Sequence, residues 1–192
     1  LDPDVGNVYG VFVQRLVVFL VIGLIALSAC GRTPPAADPS QVGTEAFDLG
    51  SRPPAPILTG TTLEGEQLSL ADYSGKIVVL NSWASWCMPC LVEMPVLIQA
   101  QENYADQGVA VLGLNALDEQ QNAQDFVEDL GINFPSIRDA EGALLATIPG
   151  VPPRALPSTI VVDADGNIAA RIIGPVTEPM VTDILDNLLA ES

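Results

Sequence analysis

The alternation of apolar and polar positions divides the chain into three stretches. Residues 16–29, Leu-Val-Val-Phe-Leu-Val-Ile-Gly-Leu-Ile-Ala-Leu-Ser-Ala, form an uncharged run that follows Arg15. A membrane-spanning helix needs about 20 apolar residues, whereas the core of a signal peptide needs roughly 7–15. Residues 31–56 hold prolines at 34, 35, 39, 53, 54 and 56 and only scattered apolar side chains. Such a composition predicts an extended linker and no core, with a reach of at most about 80 Å at ~3.1 Å per residue. From residue 57 onward the pattern is that of a folded domain.

Within 57–192 the periodicities predict a mixed α/β order. Ile57–Leu63 and Glu66–Leu70 flank Glu64-Gly65, a hairpin signal. Lys76–Ser82 is a nearly continuous apolar run, as expected of a buried central strand, and Val109–Asn115 is a second. A helix is expected from about Cys87 to Gln107 between them. Asp118, with Gln121 three residues on, reads as a capping box that opens a helix to Leu130. Phe134–Ile137 reads as a short strand and Ala143–Ile148 as a short helix. Ser158–Asp163 and Asn167–Ile173 are strands joined by Ala164-Asp165-Gly166. Thr177 caps a last helix whose apolar positions Val181, Ile184, Leu185, Leu188 and Leu189 follow the i, i+3, i+4 rule. The order implies a central mixed sheet with helices on both faces and an N-terminal β-hairpin.

Composition narrows the function. The 192 residues suit one domain with extensions, and the net charge is −17, from 24 acidic against 7 basic residues. Nucleic-acid binding needs a basic patch, so no nucleic-acid partner is expected. The acidic balance favours solubility and cationic partner surfaces. There is no histidine, which excludes Cys–His and Ser–His–Asp catalysis and His-ligated metal. The three cysteines are Cys30, Cys87 and Cys90, an odd number that leaves at least one outside any intramolecular bridge.

The tetrad Leu27-Ser28-Ala29-Cys30 resembles the lipobox of bacterial lipoproteins. That resemblance implies cleavage before Cys30 and lipidation of its thiol, with several acyl chains giving stable anchoring. The expected organisation is a signal peptide over 1–29, a lipidated cysteine and proline-rich linker over 30–56, and a globular domain over 57–192. The alternative is an uncleaved anchor that extends through Val11–Val13. Both readings put the domain outside the cytoplasm, where disulfide chemistry is at home.

The chemistry concentrates in Asn81-Ser-Trp-Ala-Ser-Trp-Cys-Met-Pro-Cys-Leu-Val-Glu-Met-Pro95. A buried strand ends, a short turn follows, and Cys87 falls at the start of a helix. Unpaired N–H groups and the positive dipole end there favour thiolate, the species that attacks disulfides. Cys90 lies one turn on and can resolve the mixed disulfide. Pro89 suits the first turn, where its missing N–H costs little. The bland readings are a zinc knuckle, which lacks the other two ligands, and a structural disulfide, whose small ring restrains little unfolded-chain entropy. No metal and no cofactor are expected.

Trp83-Ala-Ser-Trp-Cys-Met-Pro-Cys90 resembles the thioredoxin active-site motif, and residues 53–190 resemble the TlpA/ResA branch of membrane-anchored thiol–disulfide oxidoreductases. The resemblance implies a thioredoxin-like fold. It places Glu93 as an active-site glutamate, Pro95 at a helix kink, Asp118–Leu130 in a helical insertion and Pro157 as a cis-proline. Leu156 would pair its main chain with substrate, and Trp86 would shield the disulfide and contact partners. Thioredoxins keep a buried aspartate where this chain has Asn81, which shifts the acid–base role toward Glu93. The ordinary readings are a solvated Glu93, a trans Pro157 and tryptophans that only pack.

The resemblance implies reduction of protein disulfides in the cell envelope, with apocytochrome c among the candidates and a membrane electron donor upstream. A net disulfide-forming oxidant shares the motif and differs only in reduction potential. A metal carrier on this fold lacks its usual spacing and histidine here, and a thiol peroxidase uses a different cysteine context.

Overall fold

The computed structural model describes residues 43–191. The signal-peptide, Cys30 and linker readings for residues up to 42 lie outside the described residues.

The strands are β1 (Gly43–Ala46), β2 (Thr59–Thr61), β3 (Gln67–Ser69), β4 (Ile77–Trp83), β5 (Val109–Ala116), β6 (Ser136–Asp139), β7 (Ser158–Val162) and β8 (Ile168–Ile173). The α-helices are α1 (Met88–Tyr104), α2 (Gln120–Leu130) and α3 (Glu178–Glu191). The main sheet has six strands in the order β1-β8-β7-β4-β5-β6, and β2 and β3 form a separate antiparallel hairpin. The β4–β5 and β5–β6 pairs are parallel, and the other pairs are antiparallel. The mixed sheet and hairpin agree with the sequence pattern.

Side chains alternate across the sheet and feed two cores. Ile77, Val79, Val109, Val111 and Val161 point to one face, where they pack with Met94 and Leu97 of α1, Ala123 of α2, and Val181, Leu185 and Leu188 of α3. Val78, Leu80, Leu112, Leu114, Ile160 and Val162 point to the other. That second face is covered by Leu58 and Leu68 of the hairpin region and by two short 3-10 helices, Leu70–Tyr73 and Leu145–Thr147. Helices thus cover both faces, but all three α-helices lie on one. The predicted helix over Ala143–Ile148 is this second 3-10 turn; Asp139 accepts from the N–H groups of Leu144 and Leu145 at its start.

Of the boundaries that differ from the sequence reading, two have a plain structural cause. Strand β1 falls inside the stretch 30–56 that composition assigned to linker. Its four residues are exposed and pair through the main chain with Ala170–Ile173 of β8, and Glu45 adds an ion pair to Arg171. No apolar pattern marks such a strand. The attachment continues through Phe47 N–H to Ala169 C=O at 2.8 Å and Ile168 N–H to Pro53 C=O at 2.7 Å. Arg52 then bridges Asp163 at 3.2 Å and Glu191 at 2.7 Å. Strand β6 begins at Ser136, two residues later than expected, because Pro135 has no N–H to give a ladder.

Gly113 is held to glycine by close approach. A Cβ there would fall 2.0 Å from Ser136 Oγ and 2.8 Å from Trp83 Nε1, atoms that are themselves hydrogen-bonded at 3.2 Å. Gly113→Ala is expected to destabilise the domain by about 1–3 kcal/mol through overpacking. Urea unfolding should show a lower midpoint with an unchanged slope.

Candidate active site

Strand β4 is buried along its whole length and delivers the chain to the site. After Trp83 the backbone turns through Ala84, Ser85 and Trp86, and Cys87 is the N-cap of α1 with φ −86° and ψ 100°. The Cys87 sulfur accepts from the Cys90 N–H at 3.3 Å, taking up one of the free donors of the helix end. Cys87 and Cys90 are joined in a disulfide, with an S–S distance of 2.04 Å and Cα atoms 5.2 Å apart. Seventeen helical residues stand behind the sulfur, so the dipole of α1 favours negative charge on it. Cys87 is 4 % exposed and Cys90 fully covered, while Trp86 (59 %), Met88 (67 %) and Val92 (72 %) stand out as exposed apolar neighbours.

Glu93 sits one turn beyond Cys90 and is buried, at 1 % exposure. Its Oε1 accepts from Asn81 Nδ2 at 2.8 Å, and its Oε2 accepts from the Val176 N–H at 2.8 Å. Burial pushes its pKa up to about 7, against the pull of the two hydrogen bonds. The solvated-glutamate reading is therefore wrong for this chain. Asn81 occupies the floor of the site and also donates to Thr159 Oγ1 at 3.0 Å across the β4–β7 pair.

The turn before Cys87 is tied down from the far side. The sequence spacing makes Asp118 the cap of α2, but the N-cap is Glu119 and carries no side-chain cap bond. Asp118 is buried and accepts instead from Ser85 N–H at 2.6 Å, Ser85 O–H at 2.9 Å, Asn115 Nδ2 at 2.9 Å and Glu119 N–H at 2.9 Å. Bonds to the turn outcompete a local cap because they satisfy a donor that would otherwise be buried. Beside it, Trp86 Nε1 donates to the Leu117 carbonyl at 3.0 Å, and Leu117 holds a positive φ of 59°. That conformation is costly for a leucine and marks a constrained spot. Trp83 is fully buried and stacks on Phe126 with ring centroids 5.1 Å apart.

Pro157 follows a cis peptide bond from Leu156. The β4–β7 ladder ends at the Ser82–Ser158 pair, so the Leu156 main chain lies beyond it, beside the strand that leads into Cys87. The Leu156 side chain is partly buried and packs against the core that contains both cysteines. Thus Cys87, Cys90 and Glu93 share one helix end, Trp86 stands at its lip, and Leu156 and Pro157 open the neighbouring strand. Among the described residues no cluster of three or more Cys, Asp or Glu side chains is placed to hold a metal ion. The sequence pattern marks no site role for Ser85, Thr159 or Val176 and gives Asp118 only that of a cap. Val176 contributes only a main-chain N–H, which no residue type signals, and Asp118 looked like a cap because its spacing to Gln121 fits one.

Two outcomes follow from this geometry. Asp118→Ala leaves buried donors without an acceptor and is expected to cost about 2–3 kcal/mol, with faster hydrogen exchange at the Ser85 amide. For Glu93, a folded pKa above the unfolded one means that the neutral form is favoured by folding. Its contribution is full below about pH 4.5 and is lost as pH rises through about 7. The oxidised protein should lose about 3 kcal/mol of stability across that window, and Glu93→Gln should flatten the loss in urea titrations at each pH.

Comparison with known proteins gives one answer at three levels. The AhpC/TSA family model matches residues 52–171. A thiol–disulfide oxidoreductase ResA from Geobacillus thermodenitrificans is 35 % identical over 175 residues, covering 91 % of this chain and 97 % of the relative. The crystal structure of a DsbF homologue from Corynebacterium diphtheriae superposes with a TM-score of 0.73 at 36 % identity, covering 82 % of this chain and 98 % of that one. A secreted thiol-disulfide isomerase from Corynebacterium glutamicum superposes with a TM-score of 0.74 at 32 % identity, covering 83 % and 96 %. With its thioredoxin-like fold and its Cys87–Cys90 disulfide at the head of α1, the chain belongs to the AhpC/TSA family and is a ResA-like thiol–disulfide oxidoreductase.

Proposed function

We propose that the protein reduces protein disulfides on the extracytoplasmic side of a bacterial cell membrane, to which a lipid on Cys30 tethers it. The observation that carries the dithiol exchange in this reading is the Glu93 carboxyl, buried one turn beyond Cys90 and poised near neutral pH. A dithiol reductant must strip the proton from its second thiol after the first has attacked, and a group titrating near the working pH does so best.

In the reduced enzyme Cys87 is the thiolate. It attacks one sulfur of the substrate disulfide, and the other substrate sulfur leaves as a thiolate that takes a proton from water. The Cys90 thiol gives its proton to the Glu93 carboxylate and attacks the Cys87 sulfur. The second substrate sulfur leaves and receives the proton held by Glu93. Two electrons pass from enzyme to substrate, and the enzyme ends as the disulfide. Trp86 and the main chain of Leu156, turned by Pro157, form the docking edge for the substrate segment. Candidate substrates are protein disulfides of the cell envelope, apocytochrome c among them. A membrane electron donor restores the dithiol.

Three measurements test the reading. A Cys90→Ala variant should hold envelope proteins in mixed disulfides through Cys87, and a Cys87→Ala variant should hold none. Capture by neither would sink it. Equilibration with glutathione should leave the wild-type pair mainly oxidised; a pair that stays reduced is an oxidant. Glu93→Gln should slow release of the reduced substrate by about 10²-fold at pH 7 while leaving the first attack unchanged.

A further inference from the structure

Both hydrogen bonds of Glu93 are ones that its oxygens accept. Oε1 faces Asn81 Nδ2, and Oε2 faces the Val176 N–H, so both oxygens meet donors. This suits a carboxylate. A carboxylic acid adds an O–H, which neither of these two donors can accept. At the same time the other end of the Asn81 side chain, Oδ1, is buried without a donor. Asn81 is fully covered, and its amide also donates to Thr159 Oγ1 at 3.0 Å. Buried polar atoms without partners are costly and rare, which makes this one informative.

We propose that Asn81 is a positioning residue whose side-chain amide turns over, by about half a rotation about its last bond, each time Glu93 gains or loses its proton. With the carboxylate, Nδ2 faces inward and donates to Glu93 and Thr159. With the acid, Oδ1 faces inward and accepts from the Glu93 O–H and the Thr159 O–H. The shape of the side chain is unchanged, so the swap needs no repacking. Only an amide provides a donor and an acceptor of equal size on one carbon. An aspartate there would add a second charge 2.8 Å from the first, and a leucine would satisfy neither state.

The groups that face Glu93 from neighbouring elements are few. They are Asn81 of β4 with Thr159 of β7 behind it, the Val176 N–H before α3, and Cys90 on the same helix. No other charged side chain hydrogen-bonds to Glu93 among the described residues. In the oxidised protein the cysteines do not titrate, so Glu93 can be followed alone.

The test uses the oxidised full chain in detergent micelles, isotopically labelled, from pH 4 to pH 9. The Glu93 carboxyl carbon and the Asn81 side-chain nitrogen should titrate with one midpoint. The close contact between the Asn81 amide protons and the Thr159 side chain should be present above that midpoint and lost below it. An Asn81 amide that keeps its Thr159 contact on both sides while Glu93 titrates overturns the proposal. A Glu93 that fails to titrate across the range overturns it as well. The proposal rests on the reading of Glu93 as a proton carrier only for its use in turnover. The titration involves no substrate, so its failure is distinct from a failure of the mixed-disulfide capture.

Discussion

Everything at the site depends on the hydrogen bonds around one covered carboxyl. Glu93 joins the central strand through Asn81, the segment before α3 through Val176, and the redox helix through its own backbone. Three separate parts of the chain therefore meet beneath the disulfide. Covering the carboxyl raises its proton affinity, and the two donors temper that rise. The same contacts hold the helix end that carries Cys87 and Cys90 in register with β4. Structural support and the raised proton affinity come from one arrangement here.

The second fixed point is the turn that precedes Cys87. Asp118 and Leu117 belong to the connection between β5 and α2, yet they hold Ser85 and Trp86. The connection that carries α2 is thus a brace for the redox turn as well as a crossover. Trp83, Phe126, Ser136 and Gly113 extend the brace inward as a tightly packed stack. Packing of this density transmits a change at one member to the others. The exposed row of Trp86, Met88 and Val92 is what remains outside it.

Much of this was legible in the residues. The continuous apolar runs of β4 and β5 announced buried strands, and the glycines at 65 and 166, both at positive φ, announced their turns. The cysteine pair was readable from its spacing on a helix that begins where a strand ends, whereas Glu93 entered only through the family resemblance. What could not be read falls into two kinds. Strand β1 is held by backbone groups that every residue carries, with a Glu45–Arg171 ion pair added, so the apolar pattern is silent about it. Asp118 offered a local partner and took distant ones, and sequence spacing does not rank a cap against a contact 33 residues away.

Strand β1 also guards a vulnerable border. It occupies the row of donors and acceptors along β8 that would otherwise face solvent as an open edge. Cleavage of the polypeptide between Ala46 and Phe47 would let β1 dissociate while Phe47 stays on the second core and Arg52 keeps its clamp. The trimmed molecule would keep its disulfide and its helices but gain an adhesive rim. Self-association through that rim would then betray the damage before any loss of redox chemistry did.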